Sequence, residues 1–282
     1  MSKNLKFPNE EQEKKLCEII LQGGKIHKNV SQFLRDNKLT IATADRSYCP
    51  KILIRQLIDK YSLNKDQHID GYACLYPLTQ EEFDVIVGGL LGDMWIGKPT
   101  PNSSPCGSFT HKLEHTQYVE FKYNFLKRRC SNLTIHNKYD KRSDRHYQQC
   151  FCKIAASPIL TPIYQQFYKN GIKIVPEELI NKLSPLGIAI WFQDDGATDD
   201  YGYKFSVDCF TQEDIEKLTK MLKTKFDINT TIQINKNKVI HITADSVLKF
   251  KNLVEPYMCD CMKYKLQIYK YKKGKLCKVD VV

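Results

Sequence analysis

Asp93 and Asp195 each close an almost uniformly apolar run, FDVIVGGLLG in the first case and LGIAIWFQD in the second. If those runs are helices, each carboxylate sits at a helix C-terminus, where partial negative charge disfavours it by a few tenths to about 1 kcal/mol. A cation must offset that cost. Should the two helices pack side by side, Asp93 and Asp195 meet at one end of the contact and repel. A hard divalent cation, Mg²⁺ or Mn²⁺, is the natural partner for such oxygens. Metal held between paired carboxylates suits phosphodiester hydrolysis, where attacking and leaving oxygens both need stabilising.

The elements that would position these acids are legible. Thr79-Gln80-Glu81-Glu82 is a capping box opening the first run, and Ser184-Pro185 is an N-cap with proline at the first helical position. Both runs are apolar nearly all round, so both must be buried on most sides. Similar elements follow each. After Asp93 come a Pro-, Ser- and Gly-rich loop, a strand over Ser108 to His115 and a helix at about 117–128. A hairpin through Ile135 and Phe151 and a helix over Pro158 to Tyr168 complete that set. After Asp195, Phe205, Val207 and Cys209 alternate with Lys204, Ser206 and Asp208, which predicts a half-buried strand. Thr211 to Asp214 opens a second capping box, and Ile215, Leu218, Met221 and Leu222 form one helical stripe. Ile232 and Ile234, then Ile240 and Ile242, mark a hairpin about the Lys236-Asn237 turn, before a helix from Asp245 to Tyr257. The order helix, two strands, helix, two strands, helix thus occurs twice, an α+β pseudo-repeat. Residues 1–76 lie outside it as a mainly helical extension, with halves at 77–180 and 181–282 and Pro77 at the junction. Three helices are expected there, around Leu16, Ile19 and Ile20, over Val30 to Leu34, and over Pro50 to Tyr61. The last two could form a helix-turn-helix, although a structural appendage packing on the core is the preferred account.

Bulk properties narrow the partner. A chain of 282 residues with 42% hydrophobic and 27% charged residues has the makings of a packed core, which sets aside disordered and fibrous classes. The longest apolar stretches, Phe83 to Leu91 and Leu186 to Phe192, are too short to cross a bilayer, so no membrane role is expected. Eleven cysteines without an apolar leader point to free thiols in a reducing, intracellular compartment. The C-x-C pairs Cys150/Cys152 and Cys259/Cys261 lack the usual structural zinc spacing and read as small buried hydrophobes. A net charge of +11 favours a polyanion, nucleic acid ahead of a membrane surface. The lysine- and asparagine-rich composition suits an A+T-rich coding genome such as that of a mitochondrion or chloroplast.

Ile86 to Met94 (IVGGLLGDM) and Ile188 to Gly196 (IAIWFQDDG) resemble the two signature helices of the LAGLIDADG homing endonucleases, in the single-chain, two-motif, intron-encoded form. The resemblance covers roughly residues 80 to 270, and the family's metal-binding acid falls on Asp93 and Asp195. It implies a pseudo-twofold monomer of αββαββα units with two saddle-shaped antiparallel sheets and a central two-helix interface. It also implies metal-dependent, staggered cleavage of double-stranded DNA leaving 3′ overhangs. The family's basic residue near each centre falls on Lys173 and Lys265. Its fold also serves intron maturases, which makes the chain's own intron RNA a second expected partner. DNA-reading candidates on strand faces are Lys112, Arg142, Arg145, Gln148, Lys204, Gln233, Asn235 and Lys238, since Arg and Lys suit guanine and Gln and Asn suit adenine. Two departures matter. Gly88, Gly89 and Gly92 would let a backbone approach closely, yet Ile190 and Asp194 stand where Gly88 and Gly92 do. The helix contact is therefore asymmetric. Asp194 points about 100° away from Asp195 on a helix and is left out of the catalytic set.

Overall fold

A computed structural model describes residues 7–22, 26–39, 50–61, 63, 77–141, 144–199, 202–272 and 275–279. The chain forms two compact units, Met1–Pro77 and Leu78–Val282, each with its own core.

The first unit holds α1 (Glu10–Gln22), α2 (Ile26–Asp36) and α3 (Pro50–Lys60). Leu16, Ile20, Val30, Leu34, Ile54 and Leu57 bury one stripe from each helix. Glu13 ties α1 to α3, accepting from Lys60 Nζ at 2.5 Å and Tyr61 OH at 2.6 Å. Residues 40–49, between α2 and α3, lie outside the described residues, and with them the turn that the helix-turn-helix expectation needs.

The second unit contains the repeat. Its first half runs α4 (Gln80–Leu91), β1 (Trp95–Gly97), β2 (Cys106–Lys112), α5 (Thr116–Leu126), β3 (Thr134–Asp140), β4 (Arg145–Ile154) and α6 (Thr161–Phe167). A small hairpin of β5 (Tyr168–Lys169) and β6 (Ile172–Lys173) and the short α7 (Glu177–Ile180) lead to the second half. There the order is α8 (Pro185–Asp195), β7 (Gly196–Asp199), β8 (Gly202–Ser206), α9 (Gln212–Phe226), β9 (Thr230–Ile234), β10 (Lys238–Ile242) and α10 (Val247–Val254). A 3₁₀ stretch, Asp260–Leu266, and the hairpin of β11 (Ile268–Lys272) and β12 (Lys275–Val279) follow. The sheets are antiparallel and share one topology, β1-β2-β4-β3 and β7-β8-β10-β9. Neither closes into a barrel.

α4 and α8 pack against each other as the apolar patterning requires. A Cβ on Gly88 would lie 2.3 Å from the Gly187 carbonyl oxygen, so the two backbones are in direct contact there. Gly92 faces Asp194, but Gly89 faces Met94 of its own chain segment, so two of the three expected glycines serve the contact. The helix starts are joined too. Thr79 and Glu82 form the expected capping box, and buried Asp84 accepts from the Ser184 backbone N–H at 2.8 Å and its hydroxyl at 2.6 Å.

Strand ends differ from the sequence reading. β2 stops at Lys112 and turns through a 3₁₀ segment, Leu113–His115. β8 stops at Ser206, and the next residues turn toward the Thr211 cap, which leaves Cys209 exposed rather than core-facing. Local hydrogen bonding to an approaching helix overrides strand alternation at both places. The eight cysteines whose side chains are described are free thiols, most of them buried. No described helix is long and apolar enough to cross a membrane.

Candidate active site

The α4–α8 contact delivers both signature acids to one end. α8 ends in Asp195, and Asp93 follows Gly92 at the end of α4. The Asp93 side chain is half exposed, whereas Asp195 is largely enclosed. Burial, followed by the nearby charges of Asp93 and Asp194, pushes the Asp195 carboxyl up to about 7. That is the electrostatic mark of crowded carboxylates, which the charges of Lys173 and Lys265 oppose without overcoming. Among the described residues neither a hydrogen bond nor an ion pair reaches the Asp195 carboxylate. A hard cation is the kind of partner that such a carboxylate can take.

The two lysines occupy matching places. Lys173 Nζ donates to the Gly92 carbonyl at 3.1 Å, and Lys265 Nζ donates to those of Gln193 at 2.7 Å and Asp194 at 3.0 Å. Each thus satisfies the last carbonyls of one signature helix and places positive charge against its negative end. Burial lowers the pKa of both below the ordinary lysine value, opposed by the acids beside them. Lys173, on β6, and Lys265, in the 3₁₀ stretch, supply the cationic offset that terminal aspartates require.

Asp194, set aside on sequence grounds, has a different place. Its 100° rotation from Asp195 turns it into the helix contact, where it is fully buried. Oδ2 accepts from the Asp93 backbone N–H at 3.4 Å, and Oδ1 accepts from Lys122 Nζ at 3.0 Å. Lys122 is itself fully buried on α5, 4.4 Å from the Tyr118 ring centre and 2.8 Å from His111 Nε2. His111, on β2, reaches toward Asp93 Oδ2 with Nδ1 at 4.0 Å. Burial is the largest cause of the lowered His111 pKa, the Lys122 charge adds to it, and Asp194 and Asp93 oppose it. Enclosed beside Lys122 and His111, Asp194 is held well below the usual carboxylate range despite its burial.

His111 and Lys122 escaped the sequence reading. Lys122 left a signal, because it falls on the buried stripe of Tyr118, Val119 and Leu126, where a lysine needs a buried anion. Nothing comparable marks His111 on an alternating strand.

The strand candidates divide. Lys112, Arg145 and Gln148 line one surface hollow of about 570 Å³ between β2 and β4, and all three are exposed. Gln148 donates to Asn137 on β3 at 3.0 Å. On the second sheet, Lys204 pairs with Asp199 at 3.4 Å, and Gln233 bonds His241 at 2.9 Å. Asn235 is exposed beyond β9. Lys238 is held inward, its Nζ donating to the Phe210 carbonyl at 2.7 Å. Arg142 lies outside the described residues.

A profile of the LAGLIDADG DNA endonuclease family matches residues 83–250, from α4 into α10. The chain belongs to that family. Among its relatives, the DNA endonuclease I-ChuI of Chlamydomonas applanata is 27% identical over 208 residues, 67% of this chain and 95% of the relative. The cytochrome b mRNA maturase bI2 of Saccharomyces cerevisiae is 27% identical over 253 residues, 84% of this chain. This chain spans only 58% of that maturase's length. In structure it is similar to the homing endonuclease I-WcaI bound to its DNA recognition sequence, with a TM-score of 0.63 and 25% identity. The similarity covers 76% of this chain and 93% of that one.

Proposed function

We propose that this LAGLIDADG protein is a homing endonuclease that cuts double-stranded DNA at a specific site by metal-dependent hydrolysis, leaving 3′ overhangs. The observation that carries the reading is the delivery of Asp93 and Asp195 to one end of the α4–α8 contact, with Lys173 and Lys265 at matching carbonyls. Mg²⁺ or Mn²⁺ bound by the two carboxylates would supply Lewis acidity toward the phosphodiester. The chain's own groups do the rest. Lys173 and Lys265 keep positive charge at the helix ends, where an anionic phosphate must be accepted. The exposed polar ends of β3, β4 and β9 offer Arg145, Gln148, Gln233 and Asn235 to base edges, and Lys112 and Lys204 to phosphates or guanine. A single chain supplies both halves, so a monomer suffices.

One observation favours a second activity on the same fold. The maturase match covers 84% of this chain, more than residues 78–282 can supply, so it takes in part of the N-terminal unit. RNA binding by the full chain is the corresponding reading. The lysine- and asparagine-rich composition keeps an organelle genome as the proposed source.

The test is cleavage of a plasmid carrying the uninterrupted host junction. Cutting is expected in Mg²⁺ and not in EDTA. Cleavage that persists in EDTA would refute the metal-dependent reading. Failure to cut any allele, with retained stimulation of intron splicing, would instead favour the maturase.

A further inference from the structure

The two halves of the centre are built differently, and the difference lies around Asp93. The repeat supplies the correspondence. Trp95 pairs with Ser108 and Ala197 with Lys204, each two residues beyond its signature acid, so Ser108 matches Lys204 and His111 matches Val207. The buried stripes of α5 and α9 align in the same register, Val119 with Ile215, Lys122 with Leu218 and Leu126 with Leu222. Asp194 corresponds to Gly92. The buried set Asp194, Lys122 and His111 on the Asp93 side is therefore replaced by Gly92, Val207 and Leu218 on the Asp195 side.

Proton placement in that set follows from donor and acceptor chemistry. The Lys122 ammonium has three donors and no acceptor, and its Nζ stands 2.8 Å from His111 Nε2. Nε2 also stands 3.5 Å from Asp194 Oδ1. The nearer ammonium requires an acceptor at Nε2, which places the ring proton on Nδ1, the nitrogen that faces Asp93 Oδ2. At 4.0 Å this is beyond hydrogen-bond length, and the half-exposed Asp93 side chain has room to close it. The same three side chains, Asp93, His111 and Asp194, cluster closely enough to suggest a metal site. The ammonium of Lys122, 3.0 Å from Asp194 Oδ1, already supplies the cation there. An orienting network fits these contacts better than a further metal site.

We propose that His111 is a positioning residue for Asp93, fixed in its Nδ1–H tautomer by Lys122, and that it makes the two strands' cleavage unequal. The proposal rests on the nuclease reading for its kinetic consequence but not for the tautomer. Outer partners that orient metal-binding side chains typically contribute 10–100-fold to metal affinity or activity. Three variants separate the roles. His111→Val copies the other half. His111→Asn keeps a donor near the Nδ1 position, and His111→Gln keeps a polar group near the Nε2 position only.

Two measurements test the idea. Imidazole ¹⁵N shifts of the metal-free protein should show a protonated Nδ1 and an unprotonated Nε2 at His111. The opposite tautomer would overturn the proposal whether or not the protein cuts DNA. Single-turnover cleavage with each strand labelled separately should show His111→Val slowing one strand about 10-fold more than the other, with target affinity unchanged. His111→Asn should restore most of that loss and His111→Gln little. Equal slowing of both strands, or Asn behaving like Val in a protein that melts as wild type does, would overturn it. A wild-type protein that shows the Nδ1–H tautomer but cuts nothing would refute the kinetic half together with the nuclease reading.

Discussion

At the residue scale, the chemistry depends on how two kinds of acid are balanced. Asp195 is enclosed beside other acids and carries a pKa near 7, whereas an ordinary aspartate titrates near 4. A carboxyl whose folded pKa is raised stabilises the fold below its unfolded pKa, and that contribution is lost as pH rises toward 7. Saturating Mg²⁺ should therefore raise the melting temperature clearly at pH 8 and little at pH 5. Equal shifts at both would show that Asp195 does not bind the ion. Asp194 is the opposite case, a buried acid neutralised by Lys122. Lys122→Leu alone should cost about 3–5 kcal/mol, since it strands a buried charge. Adding Asp194→Gly, which copies the residues of the other half, should recover most of that in denaturant titration. A double variant as unstable as the single one would contradict the pairing. The gathering of Asp93, Asp195, Lys173 and Lys265 at the ends of α4 and α8 was legible because motif position and residue type coincide. Asp194 was left out of the catalytic set because helical rotation turns it away from Asp195, but its buried partners were not foreseen. That same rotation turns it toward Gly92 and the Asp93 amide.

At the element scale, the centre is aligned by α4 and α8. Caps announced both helices, and continuous apolarity announced their burial. Direct backbone contact at Gly88 was foreseeable as a possibility, but its partner, Gly187, was not, because register between two apolar helices leaves no sequence period. Gly88→Ala would push a methyl into the Gly187 carbonyl, an overpacking strain costing about 1–3 kcal/mol against a helix-propensity gain of about 0.5–1 kcal/mol. Gly89→Ala meets only the flexible Met94 side chain and should be mild. Denaturation midpoints and cleavage rates measured on both variants would check this, with Gly88→Ala losing in both. If the two variants behave alike, close helix approach does not align the acids. Strand interiors were legible from alternation. Strand ends were not, since the helices starting at Thr116 and Gln212 impose their own hydrogen bonding on the residues before them.

At the scale of the whole molecule, on the proposed reading, a net charge of +11 and two sheets with exposed outer strands would supply binding, while the paired helix ends would supply chemistry. The repeat was legible because both halves carry the same order of caps, strands and stripes. The N-terminal unit was legible only as helices, because its residues carry no motif that fixes a partner. Separating binding from chemistry tests the account most directly. Asp93→Asn and Asp195→Asn preserve shape and remove the charge that would hold a metal ion. Gel-shift and cleavage assays on the same preparations should show target binding within a few-fold of wild type and double-strand cleavage reduced by orders of magnitude for each variant. A folded variant that cuts at near wild-type rate, or the loss of binding together with cleavage in both, would contradict the account.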